Sequence, residues 1–102
     1  MGELVKVGEK KDIAPGSSTA VEVRGEKVAV FNVDGTFYAI GGTCTHRGGP
    51  LSEGDVSGTT VTCPWHGAQF DLKTGGVLNP PAPQGVAGYK VVVEGDDVSI
   101  EL

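Results

Sequence analysis

The sequence predicts an all-β chain, an antiparallel β-sandwich base carrying a small, loop-rich insert. Three observations predict it. Apolar and polar residues alternate with period two in short stretches near both ends, as in Val21-Glu22-Val23-Arg24 and Val98-Ser99-Ile100-Glu101. Turn signals separate these stretches, with Pro15-Gly16, Asp34-Gly35 and Gly95-Asp96-Asp97 the clearest. No stretch sustains helical periodicity for three turns, and no internal repeat or low-complexity segment is visible.

In chain order, Leu4, Val5 and Val7 mark a first strand, and Asp12 to Ser18 is a connection around Pro15-Gly16. Val21 and Val23 give a second strand with one buried face, and Gly25-Glu26 is the expected reversal. Lys27 to Val33 is apolar almost throughout, with Val28, Val30 and Phe31. Asp34-Gly35 then predicts a hairpin, because both positions of such a turn need left-handed backbone. Thr36 to Ile40 is the returning strand.

Gly41-Gly42 opens a stretch of different character. Of the 17 glycines, nine lie between Gly41 and Gly76, where loops that bring backbone close to a cofactor need them. Thr59 to Thr62 and Ala68 to Leu72 are short strands within it, Lys73-Thr74-Gly75-Gly76 is a turn, and Asn79-Pro80-Pro81-Ala82-Pro83 excludes regular structure. Tyr89 to Glu94 and Val98 to Leu102 form a last hairpin whose Val91, Val93, Val98, Ile100 and Leu102 are expected on a buried face. The expected organisation is one domain, 1–102, with a base of residues 1–40 and 82–102 and an insert of residues 41–81.

Composition excludes several function classes. The formal net charge of −5 argues against nucleic acid as a partner and is compatible with steering toward a basic protein face. At 38% hydrophobic residues and with no long apolar run, no membrane span is expected. The N-terminus lacks an apolar signal region and a myristoylation pattern, and there is no cysteine beyond two; both features fit a reducing, cytoplasmic setting.

Those two cysteines and the two histidines fall into one pattern, Cys44-Thr45-His46, sixteen residues, then Cys63-Pro64-Trp65-His66. Each arm offers one thiolate and one imidazole. Thiolates stabilise ferric iron, and imidazoles suit an iron that cycles to ferrous, so mixed-ligand iron–sulfur binding is the chemistry this set suits. A Cys44–Cys63 disulfide would leave the histidines unexplained. A zinc site with the same four ligands is chemically reasonable, although a Cys-x-His arm is shorter than usual. Core cysteines with surface histidines would make the spacing an accident.

The arms with their flanks, Cys44-Thr45-His46-Arg47-Gly48-Gly49-Pro50-Leu51 and Cys63-Pro64-Trp65-His66-Gly67-Ala68-Gln69-Phe70-Asp71, resemble the Rieske family. The resemblance implies a Rieske-like sandwich base with a cluster-binding subdomain, and one two-iron, two-sulfur cluster held by Cys44, His46, Cys63 and His66. It assigns the cysteines to the inner iron and the histidines to the outer. Gly48, Gly49 and Gly67 read both as tight turns and as backbone amides offered to sulfur, and the resemblance implies that the proline segment covers one side of the cluster. Trp65 reads as a core aromatic more readily than as an electron relay, and Arg47 reads either as a solvated side chain or as a group placed to touch a partner's carboxylate.

High-potential members carry two further cysteines that link the loops, and a serine and a tyrosine hydroxyl that stabilise the reduced cluster. Gly49, Trp65, Ala68 and Phe70 stand at the matching positions here. This departure implies the low-potential, ferredoxin-type branch. No histidine remains for a second, catalytic iron and no dinucleotide fingerprint is present, so the expectation is a non-enzymatic electron carrier. Its expected partners are a flavin-dependent reductase and a terminal ring-hydroxylating oxygenase, and it is expected to be a monomer. The alternatives are a small subunit of an assimilatory nitrite reductase and a zinc-stabilised interaction module.

Overall fold

The computed structural model describes residues 3–43, 50–64, 67–79 and 85–101. Strands β1 (Leu4–Glu9), β2 (Ser18–Val23), β3 (Glu26–Val33) and β4 (Thr36–Gly41) come first. Three-residue strands β5 (Asp55–Ser57), β6 (Thr60–Thr62), β7 (Gln69–Asp71) and β8 (Val77–Asn79) follow, then β9 (Gly88–Glu94) and β10 (Asp97–Glu101). Single 3-10 turns at Lys10–Asp12 and Leu51–Glu53 are the only helical pieces among the described residues.

All described strand pairings are antiparallel. One sheet has the order β1-β10-β9-β4-β3-β2, and a second has the order β5-β6-β7-β8. The final hairpin thus rejoins the first strands, with β10 beside β1 and β9 beside β4. Val5 and Val7 on one edge strand and Val21 and Val23 on the other pack into the same core. The six-stranded sheet therefore curls over on itself to make the two layers of the base.

Strand β3 is buried from Val28 to Asn32. Alternation sends Val28 and Val30 into the base core with Ile13, Ala39, Val98 and Ile100. Ala29 and Phe31 point the other way, with Ile40, into a second core shared with Leu51, Val61, Cys63, Ala68, Phe70 and Leu72. The continuous apolar run is what a strand covered on both faces requires.

The turns form where their chemistry allows. Asp34-Gly35 takes φ 52° and 91°, the two-residue hairpin that the sequence signals. The earlier reversal falls at Arg24-Gly25, one residue before the expected Gly25-Glu26, with φ 52° and 83°. In the last hairpin Val98 and Ile100 are fully buried and Val91 packs against the base core. Val93, expected on that face, is 39% exposed. It pairs with Val98 beside the turn, at the end of the hairpin farther from the β4 pairing at Gly88 and Tyr89. Leu102 lies outside the described residues.

Asn32 is the buried polar residue of the core among the described residues. Its amide donates to the Ile13 carbonyl at 2.7 Å, and its side-chain oxygen accepts from Gly35 N–H at 2.8 Å, tying the β3–β4 turn to the 13–17 connection. Asn32→Ala leaves both groups unpaired, each costing about 1–3 kcal/mol. Its denaturant midpoint is expected to fall accordingly; a change under about 0.5 kcal/mol, the scale of an ordinary surface substitution, would contradict this account.

Candidate metal centre

The first arm leaves β4 through Gly41 and Gly42. Gly42 N–H donates to Lys27 C=O at 2.9 Å, and Leu51 N–H returns to Gly42 C=O at 3.0 Å. Thr43 and Pro50 form an isolated antiparallel bridge, so the loop between them is closed at its neck. Beyond it, the Leu51–Glu53 turn is tied to the base where Ser18 Oγ donates to Ser52 C=O. Leu51 is fully buried.

The second arm is closed in the same way. Cys63 follows β6 and is 2% exposed, and its N–H donates to Ala68 C=O at 2.7 Å. Gly67 turns the chain with φ 79°, as its place in the motif anticipates. Just below, Gln69 Nε2 donates to Thr62 Oγ1 at 3.2 Å across the β6–β7 pair.

The necks of the two arms meet. Leu51, Cys63 and Ala68 belong to one packed cluster. Gly54 passes so close to β6 that a Cβ there would lie 2.3 Å from the Thr62 carbonyl oxygen, so only glycine fits. A comparable crossing lies on the other side. A Cβ on Gly75, which has φ 80°, would stand 2.2 Å from Val86 C=O, and Val86 N–H donates to Gly75 C=O at 2.7 Å. Gly41 N–H donates to Ala87 C=O at 2.7 Å, joining this crossing to the start of the first arm.

Charge near the first neck is mixed. A cleft of about 290 Å³ beside Gly42 and Thr43 is lined by Glu22, Glu53 and Lys27 among others. A neighbouring one of about 350 Å³ includes Glu26 and Tyr89. Partial burial, then the Glu26 carboxylate, raise the Tyr89 phenol above its ordinary value, so it stays neutral at physiological pH.

Of the four residues singled out as ligands, Cys63 is described. Cys44, His46 and His66, with Arg47, Gly48, Gly49 and Trp65, lie outside the described residues, as does the segment 80–84 that contains most of the proline run. Cys63 supplies the test of fit. Cys63 is buried in one cluster with Leu51, Val61, Ala68 and Phe70, where an ionised thiolate is stable only with charge-balancing partners. An iron–sulfur cluster, whose ferric ions balance sulfide and thiolate charge, satisfies that need. Two closed loops meeting at their necks, with one cysteine and one histidine in each, fit such a group.

Sequence reasoning reaches Leu51 only as a flank of the first arm, and it misses β5, β8, Gly54 and the Gly75–Val86 crossing. Val56, Val77 and Leu78 are the only apolar signals for β5 and β8, and three residues are too few to show alternation.

The model of the Rieske 2Fe-2S domain matches residues 3–90. The chain belongs to the Rieske family. Its cofactor is accordingly one Rieske-type two-iron, two-sulfur cluster. Among Rieske proteins it is 36% identical over 91 residues to the ferredoxin component of the naphthalene 1,2-dioxygenase system from Pseudomonas aeruginosa, covering 89% of this chain and 88% of that protein. The ferredoxin of carbazole 1,9a-dioxygenase from Nocardioides aromaticivorans superposes with a TM-score of 0.89 at 31% identity, covering 95% of each chain. A structure titled as the complex of reduced oxygenase and oxidized ferredoxin in carbazole 1,9a-dioxygenase matches with a TM-score of 0.87 at 34% identity, covering 95% of this chain and 91% of that one. A putative NADH-dependent nitrite reductase small subunit from Mycobacterium tuberculosis shares the Rieske fold, with a TM-score of 0.90 at 24% identity over 100% of this chain and 96% of that one.

Cluster loss is expected to relax the second sheet more than the base. The strands of that sheet are three residues long, whereas the base carries its own core. Hydrogen exchange on the apo protein should show β5–β8 amides losing protection well before β3, β9 and β10. Equal loss across both sheets would refute this.

Proposed function

We propose that this chain is a low-potential Rieske ferredoxin. It carries single electrons from a flavin-dependent reductase to the terminal oxygenase of a ring-hydroxylating dioxygenase system, and it is not itself an enzyme. The observation that carries the reading is its near end-to-end correspondence with a protein named as the ferredoxin component of such a system. The partner oxygenase is supported by the matching structure of an oxygenase–ferredoxin complex. No helix among the described residues is long and apolar enough to cross a membrane. We read the carrier as cytoplasmic and monomeric, with residues 41–81 as its cluster-binding subdomain on a base of 1–40 and 82–102.

In this reading Cys44, His46, Cys63 and His66 hold the cluster, which when bound supplies one-electron redox chemistry. The chain's own residues orient and shield it. The Cys63–Ala68 and Thr43–Pro50 closures hold the arms, and the core of Leu51, Val61, Ala68 and Phe70 keeps water from the Cys63 side. Two histidines in place of two cysteines leave the oxidised centre two negative charges short of an all-cysteine one, which makes electron uptake easier than in plant-type ferredoxins. Ala68 and Phe70 are fully buried and have no hydroxyl to donate, which keeps the potential at the low end of its class.

Purified protein should contain two irons and two acid-labile sulfides per chain, with visible absorption that bleaches on reduction. Colourless protein with stoichiometric zinc, made with iron supplied, would replace this reading by the zinc-module alternative. Substituting His46 or His66 by Ala should abolish the cluster or alter its spectrum, and unchanged spectra in both would remove them from the ligand set. A reductase–oxygenase pair should turn over substrate only when the chain is added; reduction of a nitrite reductase instead would favour the nitrite alternative.

The reduction potential should lie near −150 mV rather than about +300 mV. In Ala68→Ser with Phe70→Tyr it should rise. Each charge-assisted hydrogen bond contributes about 1.5–3 kcal/mol to the reduced form. At 59 mV per about 1.4 kcal/mol for one electron, the combined rise is at most roughly 250 mV. A wild-type potential well above zero would overturn the low-potential assignment.

A further inference from the structure

With Cys44 and Cys63 both committed to the cluster, an inference that rests on the Rieske reading above, no cysteine remains to join the two arms covalently. Non-covalent contacts then hold their spacing. The β5–β6 ladder, with Asp55 opposite Thr62, joins the exit of the first arm to the strand that enters the second. Ser18 to Ser52 ties the first arm's exit to the base, and Gln69 to Thr62 and Cys63 to Ala68 each close the second arm on itself. The crossing of Gly54 over Thr62 adds a close approach of backbone to backbone, with the Val61 side chain beside it.

Leu51 is different. It stands one residue after Pro50, which closes the first arm, and its N–H is held by Gly42 C=O at the other side of that neck. Its backbone therefore moves with the first arm. Its side chain is 0% exposed and lies in the cluster that contains Cys63 and Ala68, the two closing residues of the second arm, and Phe31 and Ile40 of the base. Among the described residues from Thr43 to Gly54, Leu51 is the buried one. We propose that Leu51 is a positioning residue, an apolar pin that sets the first ligand arm against the second. Retention of the cluster then depends on it more steeply than the stability of the fold does.

Leu72 is the control. It is the same residue type, 1% exposed, in the same core, and it lies beyond β7 rather than at a neck. Leu51→Ala and Leu72→Ala should lower the unfolding midpoint of the holoprotein comparably. Iron loss to a chelator, followed by bleaching below both midpoints, should be about 10–100-fold faster than wild type in Leu51→Ala and close to wild type in Leu72→Ala. The reduced-state EPR signal should broaden only in Leu51→Ala, and Leu51→Met should restore both readouts. If Leu51→Ala does not accumulate folded, the comparison is made with Leu51→Val and Leu72→Val. Equal rates of iron loss in the paired variants, or an unaltered EPR signal in the Leu51 variant, would reduce Leu51 to ordinary core packing and overturn the proposal. Wild-type protein without two irons and two sulfides would instead overturn the Rieske reading, before any variant is made.

Discussion

Burial of both faces of β3 is the constraint from which the rest of the molecule follows. A strand in solution can hide one face; here Val28 and Val30 need one cover and Ala29 and Phe31 need another. Pairing with β2 and β4 satisfies its backbone, and alternation then divides its side chains between two cores. A slip of one residue would exchange the two sets, so register is fixed by packing as much as by the Asp34-Gly35 turn. The base core closes because the six-stranded sheet curls until its edges meet it. The second core closes because the stretch after β4 folds back over Ala29, Phe31 and Ile40. A chain of 102 residues cannot afford two large cores, and the second is completed by the necks of the ligand arms themselves.

That economy explains how loops can be held firmly without long strands. Each arm is closed at its neck by main-chain hydrogen bonds, and the necks are brought together by close approach of backbone at Gly54 and at Gly75. Side chains at either place would collide with carbonyl oxygens at 2.2–2.3 Å. Glycine therefore acts here as a spacer of zero thickness between segments. Its abundance from Gly41 to Gly76 reflects tight crossings as well as turns.

How much of this the sequence discloses depends on the range of the interaction. Asp34-Gly35 is legible because a two-residue hairpin is a local event with a strong residue requirement. The alternation in β2 and β10 is legible because it persists over several residues. Strands β5 and β8 are not, since at three residues they owe their existence to pairing with β6 and β7 rather than to their own pattern. Val93 looks like a core residue by alternation and is exposed at the turn end of its hairpin, a position that alternation alone does not reveal. The proposed ligand set is legible as chemistry, because four scarce residues share one spacing. The role of Leu51 is not, because a leucine after Gly-Gly-Pro is unremarkable until the second arm arrives beside it.

The same apolar packing bears on the electron-carrying role. Cys63 lies among Leu51, Val61, Ala68 and Phe70, with 2% exposure. Summing two ferric ions, two sulfides and two thiolates gives zero with neutral imidazoles, and one added electron makes the centre an anion. Water would stabilise that anion and an apolar wall does not, so the surroundings on this side penalise the reduced form more than the oxidised one. A hydroxyl aimed at sulfur would offset the penalty, and neither Ala68 nor Phe70 has one. In the proposed ligand set, replacing thiolates by histidines raises the potential, while the apolar residues packed with Cys63 pull it back. A carrier that must hand its electron on, rather than keep it, needs that second effect. The residues responsible are also those that close the second core, so the tuning and the folding of this half of the protein draw on one set of side chains.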